Sequence, residues 1–129
     1  MINLYINERR VGNVTVLDLK GRVRIGGTTV ALHRTIRSLI SEGKLLILLN
    51  LAEVIHVDSC GLGEFIASHI SLRNKGGELK LLRLTENLRE LMSVTKVLDV
   101  FKVYESESEA VASFESDVLV EKRPRLAFV

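Results

Sequence analysis
The chain has 129 residues, 47% of them hydrophobic, which suits one compact core and is too apolar for a disordered polymer. A formal net charge of +2 is too small to point to nucleic acid by itself. The single cysteine, Cys60, excludes an internal disulfide and suits a reducing compartment. The opening residues, MINLYINERRVGN, lack the charged-then-apolar profile of a signal peptide. The longest uninterrupted apolar run, Leu45 to Leu49, is far shorter than the roughly 20 residues of a membrane span. A cytoplasmic protein without a membrane span is the expectation.

Leu4 to Asn7 and Val14 to Leu19 read as two strands joined by a polar turn, Glu8 to Asn13. Gly21 opens a loop, GRVRIGG, that ends at Thr28 and Thr29, both suited to cap a helix. Leu32, Ile36, Leu39 and Ile40 then recur at helical spacing, with Arg34 and Arg37 on the opposite side, and Gly43 stops the helix. The run LLILLNL, Leu45 to Leu51, has the length and continuous apolarity of a central parallel strand covered on both faces. Val54 to Val57 leads into DSCGLG, and Leu62, Phe65, Ile66, His69 and Ile70 mark a second amphipathic helix ending at Gly76 and Gly77.

Leu79 to Leu84 reads as another strand, and Thr85 caps a short helix carrying Leu88, Leu91 and Met92. Val100 to Tyr104 reads as a last strand, and Ser106 with Glu109 forms a capping box ahead of Ala110, Val111 and Phe114. Two opening strands followed by alternating helix and strand argue an α/β fold whose later strands pair in parallel. The domain is expected over residues 1–117, with 118–129 a tail that reads equally as edge strand, packing arm or disordered end. Charge is uneven. Residues 1–40 hold seven basic and two acidic side chains, whereas Glu105 to Asp117 holds five acidic ones and no base.

The segment His56-Val57-Asp58-Ser59-Cys60-Gly61-Leu62-Gly63 sits where an extended stretch gives way to a helix. A helix start presents unpaired N–H groups and a partial positive charge, which together stabilise a phosphate. Gly61 and Gly63 lack side chains, so another molecule can approach the backbone there. Ser59 is therefore the candidate acceptor of a phosphoryl group, which adds about −1.5 to −2 charges beside Asp58. As bare residues, Asp58 and Ser59 also read as helix caps, and the glycines as a tight turn. Cys60 reads as a small apolar residue packed in the interior.

Motif and context together resemble the STAS family, named for sulfate transporters and anti-sigma factor antagonists. That family's pattern is an apolar strand, a short link and Asp-Ser-Ser/Thr-Gly-Leu-Gly, here LLILLNLAEVIHVDSCGLGEF. The likeness runs from about Leu4 to about Phe114, including LKG at Leu19 to Gly21 and GGELKLL at Gly76 to Leu82. It implies a mixed sheet of about four to five strands with helices mainly on one side. It also implies phosphorylation of Ser59 by an anti-sigma factor that is a serine kinase, and reversal by a PP2C-type phosphatase. Asp58, Cys60, Gly61, Leu62 and Gly63 would then belong to the partner surface, together with Arg22 and Arg24. These two arginines stand where family members usually carry an acid after the glycine matched by Gly21, a local charge reversal.

Other signals carry less. Asp58, Ser59 and His56 do not make a hydrolase, because no G-x-S-x-G or oxyanion hole accompanies them. His33, His56 and His69 lack metal-ligand spacing, and Gly61-Leu62-Gly63 lacks the third glycine of a dinucleotide fingerprint. The chain is expected to need no cofactor or metal, to bind no nucleic acid directly, and to be a substrate of phosphoryl transfer rather than its catalyst. Self-association is left open. The competing reading is a STAS-like structural subunit of a larger regulatory or transporter complex, with Ser59 a cap only; a nucleotide in a cleft near DSCGLG is a third.

Overall fold
In the computed structural model, which describes residues 4–122 and the side chains of 4–117, five strands form one mixed sheet in the order β1-β2-β3-β4-β5. The strands are β1 Leu4–Val11, β2 Val14–Val23, β3 Leu46–Val57, β4 Glu78–Leu82 and β5 Val103–Tyr104; the helices are α1 Gly27–Ser41, α2 Ser59–Asn74, α3 Glu86–Val94 and α4 Glu107–Lys122. β1 and β2 are antiparallel, and β2, β3, β4 and β5 are parallel neighbours. The α/β expectation thus holds, with a mixed sheet of the expected size.

Successive side chains in a strand point to opposite faces, and here both faces are covered. Leu17, Leu19, Ile47, Leu49, Leu51, Leu79 and Leu81 point to one side. There they pack with Leu32, Ile36 and Leu39 of α1, Leu62, Phe65 and Leu72 of α2, and Leu88 and Met92 of α3. Val14, Val16, Leu48 and Leu82 point to the other side and pack with Ala110, Val111 and Phe114 of α4. This division explains why Leu45 to Leu51 shows no alternation: β3 is central and buried on both faces.

Several boundaries differ from the sequence reading. The β1–β2 turn is only Gly12-Asn13, with Gly12 at φ 59°, so the charged residues Glu8 to Arg10 lie within the strand. A two-residue hairpin turn needs that left-handed conformation. Gly21 opens no loop; it lies inside β2 at φ 118°, beside one of two register shifts against β3. Thr28 and Thr29 do not cap α1, whose N-cap is Gly26. Instead, Thr28 Oγ1 accepts from Arg24 N–H at 3.0 Å and donates to Arg24 O at 2.8 Å, bracing the loop.

The last strand shrinks to Val103–Tyr104, because Leu98–Val100 coils into a 3-10 turn. The third helix starts as expected, with Thr85 Oγ1 accepting from Leu88 N–H at 3.3 Å, and Ser106 Oγ accepts from Glu109 N–H at 3.4 Å. The boundary expected at 117 falls inside α4, so 118–122 continue a helix rather than begin a tail; 123–129 lie outside the described residues.

The opposite charges at the two ends of the chain meet across the second face. Arg9 donates to Asp18 at 2.7 and 3.0 Å and to both oxygens of Glu107, the second of these contacts joining β1 to α4. With the Arg9 guanidinium as largest cause, Asp18 is held down at about 2. Lys80, with 0% of its side chain exposed, lies under α4, bonded to Asp117 Oδ2 at 2.7 Å and Ser113 Oγ at 2.8 Å. Its ammonium group is 4.5 Å from the centre of the Phe114 ring. A buried ammonium is tolerated only with such partners.

Candidate functional site
The site forms where β3 ends and α2 begins. Residue pairing between β2 and β3 slips twice, at Asp18/Lys20 and Gly21/Arg22, because β3 carries an additional residue at each place. Each extra residue reverses which face the next side chain meets, so Val54 and Val57 both point inward although three apart, and Ile55 is expelled to 62% exposure. These bulges aim the end of β3 so that the next residue, Asp58, becomes the N-cap of α2.

The Asp58 carboxylate holds two segments together. Its Oδ1 accepts from Gly61 N–H at 2.9 Å, closing the first turn of α2, and its Oδ2 accepts from Ile25 N–H at 2.9 Å in the β2–α1 loop. Partial burial works to raise its pKa, but the N–H groups of Ile25, Gly61 and Cys60, followed by the nearby His56, outweigh this and keep the carboxylate ionised below its ordinary range. In addition, Asp58 N–H reaches Val23 O at 3.3 Å. The loop from Arg24 to Gly26 is thus fastened to the helix start at both the backbone and the side chain of Asp58.

Ser59 is the first residue of α2 and is exposed. Cys60 is exposed as well, correcting the expectation that it packs inside. The first helical turn shows why: Ser59 and Cys60 face outward, and the rotation of the helix carries Gly61 and Leu62 inward. Leu62 is 4% exposed and belongs to the main core, so the expectation that it meets a partner is corrected. Gly61 is corrected likewise. A Cβ there would sit 2.2 Å from Val23 O, so the close approach that glycine permits is made by this chain's own β2, not by another molecule. Gly63 is different, exposed with nothing within 4 Å of a Cβ.

Arg22 and Arg24 are both half-buried on the β2 side of this junction; Arg22 stands across the ladder from His56. Ile25, between them and the helix, is 76% exposed despite being apolar. The sequence reading passed over it; a β-branched apolar residue set in the charged, glycine-rich loop GRVRIGG was the available signal. The tie from Asp58 to Ile25 had no local signal, since its two partners are far apart in sequence. Arg22, Arg24, Ile25, His56, Ser59, Cys60 and Gly63 are exposed or half-buried residues of the segments that meet at the start of α2.

Beside this face, a cleft of about 260 Å³ runs between the end of β3 and α3, lined by Val54, His56, Thr85 and Leu88 among others. It falls below the usual size of small-molecule sites and has no glycine-rich phosphate cradle, which leaves the nucleotide reading without support. Among the described residues, no three His, Cys, Asp or Glu side chains gather as metal ligands, and no helix is long and apolar enough to cross a membrane. His69 is half-buried against the Phe101 ring at 5.3 Å, with its Nδ1 unpartnered among the described residues.

A mixed sheet whose central strand delivers Asp-Ser to an exposed helix start defines an α/β domain. Comparison with known proteins agrees: the sequence pattern of the STAS domain matches residues 5–110, and the chain belongs to the STAS domain family. It is 34% identical over 70 residues to the anti-sigma-B factor antagonist of Listeria monocytogenes, a match covering 54% of this chain and 60% of that protein. It is 26% identical over 102 residues to the anti-sigma-B factor antagonist of Bacillus subtilis, covering 79% and 92%. Its fold is similar to that of the anti-sigma factor antagonist SpoIIAA in its unphosphorylated form, with a TM-score of 0.75, 18% identity, and 87% and 97% of the two chains covered.

Proposed function
We propose that this protein is an anti-sigma factor antagonist of the cytoplasm, a binding switch rather than an enzyme. In its unmodified state it binds an anti-sigma factor that is also a serine kinase, and so frees a sigma factor. The kinase moves the γ-phosphoryl group of ATP to Ser59 Oγ: the new O–P bond forms as the bond to ADP breaks, and the hydroxyl proton passes to a base of the kinase. A PP2C-type phosphatase restores the hydroxyl. The single observation that carries the reading is the position of Ser59, exposed at the first residue of α2 on a helix start already ordered by Asp58.

The physical effect of phosphorylation is local. The group adds about −1.5 to −2 charges to a face whose Asp58 is already ionised, and leaves the core untouched. Arg22 and Arg24, beside the residues whose backbone is tied to Asp58, favour a partner with acidic side chains opposite them. The family membership and the two antagonist relatives support this assignment.

The test is direct binding between the purified chain and the kinase captured with it from its source. The unmodified chain and Ser59→Ala are expected to bind alike. The phosphorylated chain is expected to bind at least tenfold more weakly, a difference of about 1.4 kcal/mol. Equal binding of the phosphorylated and unmodified chains refutes the switch and fits the alternative, a constitutive STAS-like subunit of a larger complex.

A further inference from the structure
Arg22 and Arg24 have no ion-pair or hydrogen-bond partner for their guanidinium groups among the described residues. Three other arginines are paired with carboxylates: Arg9 with Asp18 and Glu107, Arg73 with Glu78, and Arg89 with Glu105. Asp58 is the nearest acid to the β2–α1 loop, yet both of its oxygens are spent on backbone N–H groups, of Gly61 and Ile25. The two arginines therefore sit on a segment whose backbone is tied to an anion already satisfied.

Their backbone is fixed in place beside the helix start. Val23, between them, gives its carbonyl to Asp58 N–H at 3.3 Å, and Ile25, just after them, gives its N–H to Asp58 at 2.9 Å. Thr28 Oγ1 pins Arg24 at both its N–H and its carbonyl. The loop's main chain is held while the long side chains remain uncommitted. A phosphate on Ser59 would meet an unusual shortage at such a place. The helix-start donors that ordinarily hold a phosphate are partly taken, with Gly61 N–H bonded to Asp58. The phosphate would also stand next to that carboxylate's negative charge. Two free guanidinium groups answer both needs, since arginine binds phosphate through paired N–H groups and its charge does not titrate away.

We propose that Arg22 and Arg24 form an intramolecular receptor for the phosphate on Ser59, an inference that rests on the reading of Ser59 as the modified residue. The modified site then holds about two positive charges against the −1.5 to −2 of the phosphate. In this arrangement the modification acts less by adding bare repulsion than by withdrawing two cations from the face that a partner meets. His56, across the ladder from Arg22, is the remaining titratable group facing the phosphate from β3, and Asp58 is the acid facing it from the helix start.

The test installs phosphoserine at position 59 during synthesis of the full chain and follows the phosphate by 31P NMR as pH is varied. The ordinary second ionisation of such a phosphate lies near ~6. With the arginines in place its midpoint is expected below that of the Arg22→Gln/Arg24→Gln double variant by about 0.5 to 1 unit, since a nearby opposite charge favours the dianion. Each single variant is expected to fall between, and Arg24→Lys to retain part of the effect. Lys20→Gln, which removes another cation of β2, is expected to leave the midpoint where it was. Amide 1H–15N spectra confirm that each variant keeps the fold. Equal midpoints in the parent and the double variant, or an equal shift from Lys20→Gln, overturn the proposal. Because no kinase takes part, the measurement judges the arginines alone; whether Ser59 is modified by a kinase is decided by site mapping.

Discussion
Removal of the Asp58 carboxylate tests how the candidate site is built. In Asp58→Ala two bonds of 2.9 Å are lost: the cap to Gly61 N–H and the tie to Ile25 N–H. A lost N-cap costs about 1 kcal/mol. The second bond, partly exposed and to an ionised acceptor, contributes about another 1 kcal/mol. The sum is about 2 kcal/mol. With a urea slope of about 2 kcal/mol per molar for a domain of this size, the unfolding midpoint is expected to fall by about 1 M. Asp58→Asn keeps an oxygen for the cap but loses the charge and turns an amide toward Ile25 N–H, so about half the loss is expected. Hydrogen exchange at the Ile25 amide should quicken in Asp58→Ala while that of Leu49, deep in β3, changes only as global stability does. A midpoint within 0.25 M of the parent, roughly 0.5 kcal/mol, would show that the carboxylate fastens nothing.

Three other predictions concern the surrounding fold. Gly61→Ala is expected to destabilise by about 2 kcal/mol, because its Cβ would meet Val23 O at 2.2 Å, whereas Gly63→Ala, with open space around it, should be neutral or gain about 0.5 to 1 kcal/mol; equal effects in thermal unfolding would contradict the packing. Asp117→Ala leaves the fully buried Lys80 with the neutral Ser113 hydroxyl and, as its carboxylate, the more distant Glu78 at 3.7 Å, and should cost about 3 kcal/mol. Lys80→Met leaves only the better exposed Asp117, also served by Lys102, and should cost less; the reverse order in urea unfolding would refute this account of α4. Asp18, held at about 2 chiefly by Arg9, is depressed in the fold, so its contribution is present above its ordinary value of 3.8 and is lost as pH falls toward 2; Arg9→Gln should flatten the acid limb of a stability–pH curve, and an unchanged limb would contradict it.

Much of the fold was legible because its physics is local or periodic. Leu45 to Leu51 announced a central strand, since a segment covered on both faces has no need of polar alternation. Thr85 announced a helix start because capping is decided within four residues. What escaped depended on distant contacts. The glycine at 61 looked like an opening for a partner, but the atom that requires it, the carbonyl of Val23, comes from another strand. Ile55 lies outside because of a bulge, a one-residue slip that hydrophobic spacing cannot reveal. Cys60 was assigned to the interior from its residue type alone, whereas the phase of the first turn of α2 decides its exposure. The short β5 followed from the 3-10 turn at Leu98–Val100, where apolar residues suggested a longer strand.

The candidate site was half legible for the same reason. Asp-Ser ahead of a helix can be read in sequence, and the structure puts Ser59 outside and Asp58 at the cap. The other half comes from β2 and its loop: Arg22, Arg24 and Ile25 reach the helix start only because parallel pairing brings the ends of β2 and β3 side by side. Ile25 is the residue to add to the exposed set around the helix start, and Leu62 and Gly61, both packed inside, are the residues to remove from it.

The most direct measurement of the central claim is site mapping after the chain is incubated with ATP and the kinase that it captures. Fragmentation mass spectrometry is expected to place one phosphate on Ser59, and Ser59→Ala is expected to receive none. Phosphate on any other residue, or a fully active kinase that leaves Ser59 unmodified, would contradict the account.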